Sequence, residues 1–293
     1  MQPSWSNSNR TQLRAVLLGM ANDKPTVLKE ADRLRPTISQ HWDIVFEDLY
    51  GKEDLADVEA DVAVVMGGDG SMLRAAKQMG HRQWPVVGVN LGRLGFLADL
   101  APDEIGQVLA GITAGNCELV EHLMLECSVE TADKTRAATL GLNEAAIMGG
   151  PRHRLLDIDL YVDSELATTY SCDGLIVSTP VGSTGHSLSA GGPILRSDLQ
   201  AFVVSPISPH TLTVRPLVDA ADRVYHMVVR DPGEHTELLV DGQALCRLSP
   251  GDRVCVERSD AVFRTVQVGG HTYYKMLRDK LDWGGRIRSK REP

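Results

Sequence analysis

The sequence predicts two domains, an N-terminal α/β domain with a parallel sheet and a C-terminal β-sandwich domain. Three observations support this prediction. Apolar runs of strand length alternate with segments of helical periodicity as far as residue 115. From residue 116 onwards, short segments alternate apolar and polar residues. Turn sequences such as DPG, DGQ and SPGD separate these later segments.

The elements of the first domain follow in a regular order. LRAVLLGM (Leu13 to Met20) is a predicted strand, and TVLKEADRLRPTI is a predicted helix, because its apolar residues recur at helical spacing. WDIVFEDL and DVAVVM are further strands, and GSMLRAAKQM is a helix. WPVVGVN is another strand, which leads into LGRLGF, and PDEIGQVLAGITAG closes the series as a helix. We therefore place the α/β domain at residues 12–115.

The remaining chain gives the other two boundaries. The β-sandwich domain is predicted at residues 116–270, where LLDIDLYVD, HMVVRD and DRVCVERS are among the expected strands. Residues 271–293 are predicted to form a C-terminal helix and a basic tail that returns to the first domain. The polar leader, residues 1–11, is expected to be frayed.

Composition restricts the classes of partner. The chain has 293 residues, a formal net charge of -9 and a pI near 5.5, so its overall field disfavours nucleic acid and anionic membranes. Its longest apolar runs are too short to span a bilayer, which predicts a cytoplasmic protein. The five cysteines are scattered without a C-x-x-C pair, so we expect reduced core residues and neither disulfides nor a zinc site.

The segment VVMGGDGS turns a buried strand sharply into a helix. Gly67, Gly68 and Gly70 allow unusual backbone angles and let backbone amides approach a ligand, which favours a phosphate-binding turn. Asp69 has two interpretations from the residues alone, since it could cap the following helix or take part in chemistry. The segment lacks the lysine of a Walker A loop and the spacing of a dinucleotide fingerprint.

Two later glycine-containing loops are also candidate ligand-binding segments. GVNLGRLGFLADL places Gly92 and Gly95 after a strand. This loop is either an ordinary turn between a strand and a helix or part of the same site as the first turn. The second interpretation is possible because neighbouring parallel strands end at the same edge of the sheet. CDGLIVSTPVGSTGHSLSAGGPIL is dense in Ser, Thr and Gly, and it lacks Lys and Glu. Its hydroxyl and amide donors suit phosphate, ribose or base edges, whereas the alternative is a mobile hydrophilic loop.

The segment LNEAAI sets Asn143 and Glu144 between apolar residues. A buried glutamate is costly unless it is paired, so Glu144 either faces solvent or bonds a polar ligand. His186 and His210 are better interpreted as polar loop residues than as metal ligands, because no second ligand lies at metal-site spacing. No residue is assigned as a metal ligand.

Together these segments resemble the NAD kinase family. GGDGSMLRAA, NLGRLGFL, LNEAAI, DGLIVSTPVGSTGHSLSAGGPIL and PISPHTLTVRPLV occur in the order and approximate spacing of that family, and YKMLRDKLDWG resembles its ending. The resemblance covers about Leu13 to Gly285. It implies a Rossmann-like N-terminal α/β domain, a β-sandwich domain, and transfer of the γ-phosphoryl group of ATP to the 2'-hydroxyl of the adenosine ribose of NAD. It also implies a divalent metal cation, usually Mg²⁺, and a homodimer or homotetramer.

The resemblance implies site residues by motif position. Asp69 corresponds to the proton acceptor for the attacking hydroxyl. The positions expected to contact NAD are Asp69, Gly70, Asn143, Glu144, Arg154, Asp173, Thr184, Gly185, His186, Ser187, Leu188, Ser189, Ser208 and Gln243.

This chain departs from the family pattern at Val181, at Gly185 with His186 in place of Ala and Tyr, and at Ser171 in place of a basic residue. These changes put substrate affinity and pH dependence in question more than reaction type.

A lipid kinase on the same scaffold is an alternative function, but the acidic chain shows no amphipathic basic helix. A non-catalytic dinucleotide-binding module is another, and the retained Asp69 argues against it. The sequence leaves open whether polyphosphate replaces ATP and whether NADH is accepted.

Overall fold

A computed structural model describes residues 12–92, 95–131, 134–150, 155–211, 213–267 and 273–281. The predicted leader and most of the basic tail lie outside these residues. The chain divides into two compact units. Unit 1 contains Met1–Ala75, Trp84–Val120 and Arg264–Pro293, and unit 2 contains Ala76–Gln83 and Glu121–Phe263.

The elements are numbered in chain order. The strands are β1 (Arg14–Gly19), β2 (Asp43–Asp48), β3 (Val62–Gly67), β4 (Val86–Asn90), β5 (Glu118–Glu130), β6 (Thr135–Gly141), β7 (Glu144–Met148), β8 (Leu156–Val162), β9 (Glu165–Cys172), β10 (Gly174–Ser178), β11 (Ala201–Ile207), β12 (Leu217–Ala220), β13 (Tyr225–Val229), β14 (Glu237–Val240), β15 (Gln243–Arg247) and β16 (Arg253–Gln267). The helices are α1 (Thr26–His41), α2 (Asp69–Met79), α3 (Ile105–Thr113), α4 (His186–Ser189) and α5 (Tyr273–Leu281), with 3-10 turns at Pro102–Glu104 and Gly182–Thr184.

Unit 1 is built on a parallel sheet with strand order β2-β1-β3-β4. β3 and β4 are buried along their whole lengths, as expected for strands covered on both faces. Val27, Ala31, Leu34 and Ile38 of α1 pack into the core of this unit, together with apolar residues of α3. α5 belongs to the same unit, so the C-terminal helix returns to the first domain as predicted.

Unit 2 is a β-sandwich. One sheet has the order β16-β13-β8-β9, with β5 pairing to β16 and β6, and the other has the order β12-β11-β10-β7-β14-β15. The second sheet is antiparallel throughout, and the two sheets bury a common core that contains Phe202 and Tyr225 in edge-to-face contact. The predicted fold class is confirmed.

Several smaller predictions can be compared directly with the structure. The described residues between β4 and Pro102 form a loop, as predicted, and amides of this loop bond a side chain outside it. The cysteines are free, with Cys127, Cys172 and Cys255 buried and the other two half-buried. Among the described helices, none is long and apolar enough to cross a membrane.

Candidate functional site

The glycine turn after β3 positions Asp69 at the start of α2. Gly67 has a φ of 155°, and a Cβ there would lie 2.0 Å from Ser71 Oγ, so the turn requires glycine. A Cβ added at Gly68 or Gly70 would meet nothing within 4 Å. The turn therefore borders open space, where backbone amides can approach an anion.

The loop after β4 binds the Asp69 carboxylate through its backbone. Asp69 Oδ2 accepts a hydrogen bond from the Phe96 amide at 2.8 Å. Oδ1 accepts from the amides of Leu97 and Ala98 at 2.9 and 3.3 Å. The carboxylate is thus held by a neighbouring loop, and the helix-cap interpretation of this side chain is wrong.

A lysine of α5 completes the surroundings of Asp69. Lys280 Nζ donates to Asp69 Oδ2 at 3.0 Å and lies 4.0 Å from the centroid of the Phe96 ring. Burial raises the pKa of Asp69, but the amides of Phe96 and Leu97 and the Lys280 ammonium outweigh burial. The pKa of the carboxyl therefore lies below its ordinary value, and Asp69 is ionised at neutral pH.

In unit 2, Asp241 organises the segment that carries Asn143 and Glu144. The Asp241 carboxylate accepts hydrogen bonds from the amides of Leu142, Asn143 and Glu144 at 2.8, 2.7 and 3.2 Å. Its own amide donates to the Glu144 carbonyl at 2.9 Å. Asp241 and Gly242 both have positive φ angles, of 50° and 72°, which match a tight hairpin turn. The β14–β15 turn therefore fixes the backbone beside Glu144.

Glu144 is buried with an unused acceptor. The residue is 6% exposed, and within the described part of the chain its buried Oε2 has no hydrogen-bond partner. Burial raises the pKa of Glu144 to about 7, and the negative charge of Asp241 adds to this effect. An orphan carboxylate oxygen is costly, so its retention favours a ligand that donates hydrogen bonds.

The Ser/Thr/Gly segment uses many of its hydroxyls internally. Thr179 Oγ1 donates to the Leu142 carbonyl at 2.6 Å, and Ser183 Oγ donates to the Pro180 carbonyl at 2.6 Å. The Ser187 and Ser205 hydroxyls bond each other at 3.0 Å. Ser178, Thr179, Ser183 and Ser187 are completely buried. These four hydroxyls therefore lie inside the protein, whereas Thr184 is half-buried and Ser189 is exposed.

The other predicted positions of unit 2 differ in exposure. Gly185, His186, Ser189 and Ser208 are exposed, whereas Asp173, Thr184, Leu188 and Gln243 are half-buried. Gln243 Oε1 accepts a hydrogen bond from Lys77 Nζ at 3.4 Å. Arg154 lies outside the described residues.

Comparison with known sequences decides the family. Residues 15–117 match the ATP-NAD kinase N-terminal domain, and residues 142–268 match the ATP-NAD kinase C-terminal domain. A protein of Rhodopirellula baltica named NAD kinase is 52% identical over 283 residues, which cover 97% of this chain and 90% of that protein. The chain belongs to the NAD kinase family.

Further NAD kinase relatives agree. An NAD kinase of Shewanella frigidimarina is 36% identical, with 96% of each chain covered. The crystal structure of an Archaeoglobus fulgidus NAD kinase in complex with ATP superposes with a TM-score of 0.68 at 26% identity, covering 91% of this chain and 99% of that one. Yeast NADH kinase complexed with NADH shares the fold with a TM-score of 0.80 at 22% identity, covering 95% and 90%.

Two residues that bond predicted positions, one in each unit, were missed by sequence reasoning. Asp241 lies in an Asp-Gly dipeptide between apolar residues, a hairpin signal that could have drawn attention to it. Lys280 is 211 positions from Asp69 and lies in an ordinary amphipathic helix, so no local pattern indicates its contact.

The resemblance to NAD kinases implies a divalent metal ion, so we looked for side chains that could bind one. Within the described ranges, no group of three or more His, Cys, Asp or Glu side chains is arranged to hold a metal ion. The phosphate oxygens of ATP are ligands of the kind that Mg²⁺ prefers.

Proposed function

We propose that the chain transfers the γ-phosphoryl group of ATP to the 2'-hydroxyl of the adenosine ribose of NAD, forming NADP. The observation that carries this proposal is the Asp69 carboxylate, held by three backbone amides beside an open glycine turn in a member of the NAD kinase family. Phosphoryl transfer asks a protein mainly for positioning and charge stabilisation, and one acceptor for the proton of the nucleophile suffices.

In unit 1, the roles divide between Asp69 and the glycines around it. Asp69 is ionised, so it can accept a hydrogen bond from the ribose hydroxyl and take its proton as the bond to phosphorus forms. The amides of Gly67, Gly68 and Gly70 would bind phosphate oxygens, since Gly68 and Gly70 border open space. The acid in the turn thus acts on the hydroxyl, and the glycines act on the phosphate.

In unit 2, Glu144 and Asn143 are the best-supported contacts to the dinucleotide. The free Oε2 of Glu144 suits a pair of ribose hydroxyls, which donate hydrogen bonds to an ionised carboxylate. The further NAD contacts remain proposals by motif position: Arg154, Asp173, Thr184, Gly185, His186, Ser187, Leu188, Ser189, Ser208 and Gln243. For the buried Ser187, we propose a contact through the backbone only.

The proposal also covers the metal ion, the cellular compartment and the oligomeric state. ATP would be bound with Mg²⁺, which lowers the charge of the phosphates, and the protein would act in the cytoplasm as a homodimer or homotetramer. Light scattering coupled to size-exclusion chromatography checks the oligomer, and a monomer would contradict that part.

An NADP-formation assay tests the function. Purified protein with NAD, ATP and Mg²⁺ should yield NADP, detected with an NADP-specific dehydrogenase. Polyphosphate in place of ATP and NADH in place of NAD define donor and acceptor. The absence of a 2'-phosphorylated product with every donor and acceptor would overturn the proposal, whereas phosphorylation of a lipid in a parallel assay would support the lipid-kinase alternative.

Gly95→Ala should lower kcat without unfolding the protein. A Cβ at residue 95 would lie 2.2 Å from Asp69 Oδ1 and 2.5 Å from the Ala98 carbonyl, so the carboxylate must move. A displacement of this size can cost about 10²-fold in rate. Gly92→Ala in the same loop is the control, because the atom nearest to its Cβ would be the flexible end of Lys24, at 2.7 Å. Equal kcat values for the two variants would contradict the role given to this loop.

A further inference from the structure

The Asp69 carboxylate has no acceptor position to spare. Its two oxygens offer about four lone-pair sites, and the structure fills them with four donors. Three are the amides of Phe96, Leu97 and Ala98, and the fourth is the Lys280 ammonium. A substrate hydroxyl can therefore donate to Asp69 only after one of these donors leaves.

Lys280 is the donor best able to leave. The three amides belong to a loop that is closed by the hydrogen bond from the Gly95 amide to the Ala98 carbonyl at 3.1 Å, so moving one amide disturbs the others. Lys280 carries a point charge on a flexible four-carbon stem. Its side chain is 15% exposed, and the Phe96 ring lies under the ammonium at 4.0 Å. The ring can keep contact with the ammonium while it turns away from Oδ2.

We propose that Lys280 is a catalytic residue whose ammonium moves from Asp69 to the transferred phosphoryl group when the substrates bind. This inference rests on the proposed function. The 2'-hydroxyl takes the vacated position on Oδ2, and the ammonium then contacts oxygens of the γ-phosphoryl group. Positive charge placed on these oxygens stabilises a phosphoryl group in transfer.

The movement of Lys280 requires no change in the bonds and protons that phosphoryl transfer itself makes and breaks. The 2'-oxygen forms a bond to the γ-phosphorus, and the bond from that phosphorus to the β–γ bridging oxygen breaks. The electron pair of the broken bond leaves with ADP, and the hydroxyl proton passes to Asp69, while Lys280 keeps its protons. Because Lys280 lowers the pKa of Asp69, its departure makes the carboxylate a better proton acceptor when the hydroxyl is in place.

Steady-state kinetics of Lys280 variants test the inference. Lys280→Met should lower kcat by about 10²-fold or more, with KM for NAD changed by less than about threefold. Lys280→Arg should retain more kcat than Lys280→Met, because it keeps the charge. Adding propylamine to Lys280→Ala should restore part of kcat with saturation, which a purely structural role would not do. Lys275→Met, on the exposed side of the same helix, should keep the wild-type kcat.

The outcomes separate this inference from the proposed function. If the wild-type protein forms no NADP, both are wrong. If the wild type is active and Lys280→Met keeps kcat within about threefold, only the Lys280 inference is wrong. A folded Lys280→Ala, checked by near-UV circular dichroism, that gains nothing from propylamine would also overturn it. Should Lys280→Met fail to fold, Lys280→Arg and the amine rescue decide the matter.

Discussion

Asp69→Asn is expected to lower kcat for NADP formation by about 10²-fold or more, because an amide cannot take the proton of the ribose hydroxyl. KM for ATP should change little, since the glycine amides that we propose to bind phosphate are untouched. The amide also presents an NH₂ group to a site lined by N–H donors from Phe96, Leu97 and Ala98, so some loss of stability should accompany the loss of rate. Initial rates at saturating substrates measure the effect.

Asp48→Asn is the matched control for this experiment. Asp48 also lies in unit 1, where it is buried, and its carboxylate accepts hydrogen bonds from the amides of Tyr50, Gly51, Lys52 and Glu53. The variant should lose about 1–3 kcal/mol of unfolding free energy in urea and keep its kcat. If Asp69→Asn behaved like Asp48→Asn, with reduced stability and unchanged kcat, Asp69 would be a structural residue.

KM for NAD should depend on pH through Glu144. The ionised carboxylate accepts hydrogen bonds from ribose hydroxyls, whereas the protonated form loses most of this capacity. Since the pKa of Glu144 is raised to about 7, KM should rise as pH falls below that value, approaching about tenfold per pH unit. Glu144→Gln should show a high KM that no longer varies in this range, which assigns the dependence to Glu144.

Asp241→Asn sharpens the test. Removing its negative charge lowers the pKa of Glu144, so the midpoint of the KM profile should move to lower pH. Asp252→Asn is the control, because Asp252 is also an aspartate of unit 2, where it is buried, but it bonds Arg136 and the Ser249 amide. A profile that stays in place in Asp241→Asn would contradict the proposed coupling.

The stability of the NAD-free protein should respond to pH with the opposite sign. The pKa of Glu144 rises from an ordinary 4.5 to about 7 on folding, so the folded chain binds this proton more tightly than the unfolded chain. Between these values, the contribution of Glu144 to stability falls as pH rises. Chemical denaturation across that window, in the wild type and in Glu144→Gln, isolates the contribution.

Much of the fold could be predicted because its signals are local. Buried strands such as β3 are continuous apolar runs, and the order of strands and helices indicates a parallel sheet. The loop at LGRLGF was predicted, but its contacts were not, because they are non-local. The amides of Phe96 and Leu97 bond a carboxylate that lies 27 and 28 positions earlier in the chain. No periodicity of the loop itself could show that.

The sequence motifs indicated which residues belong to the candidate site, but they did not indicate which other residues those side chains contact. The Gly-Gly-Asp-Gly turn identified Asp69, but the sequence could not show whether its carboxylate capped α2 or met another loop. Hydroxyl density in the Ser/Thr/Gly segment indicated donors for a ligand, yet Ser183 bonds the Pro180 carbonyl and the Leu195 amide, and Ser187 bonds Ser205. Burial separated the two interpretations of Glu144, and burial is a property of the whole unit rather than of LNEAAI.

The helix α5, which carries the lysine that contacts Asp69, buries few of its side chains. Over its nine described residues, Leu277 alone is buried, whereas β3 and β4 are buried throughout. Segments with few buried apolar contacts open locally at a lower free energy than the core of the same protein. The amides of α5 should therefore exchange with deuterium sooner than those of the sheet. On warming, the enzyme should lose turnover before it loses its fold, because the ammonium leaves with the helix.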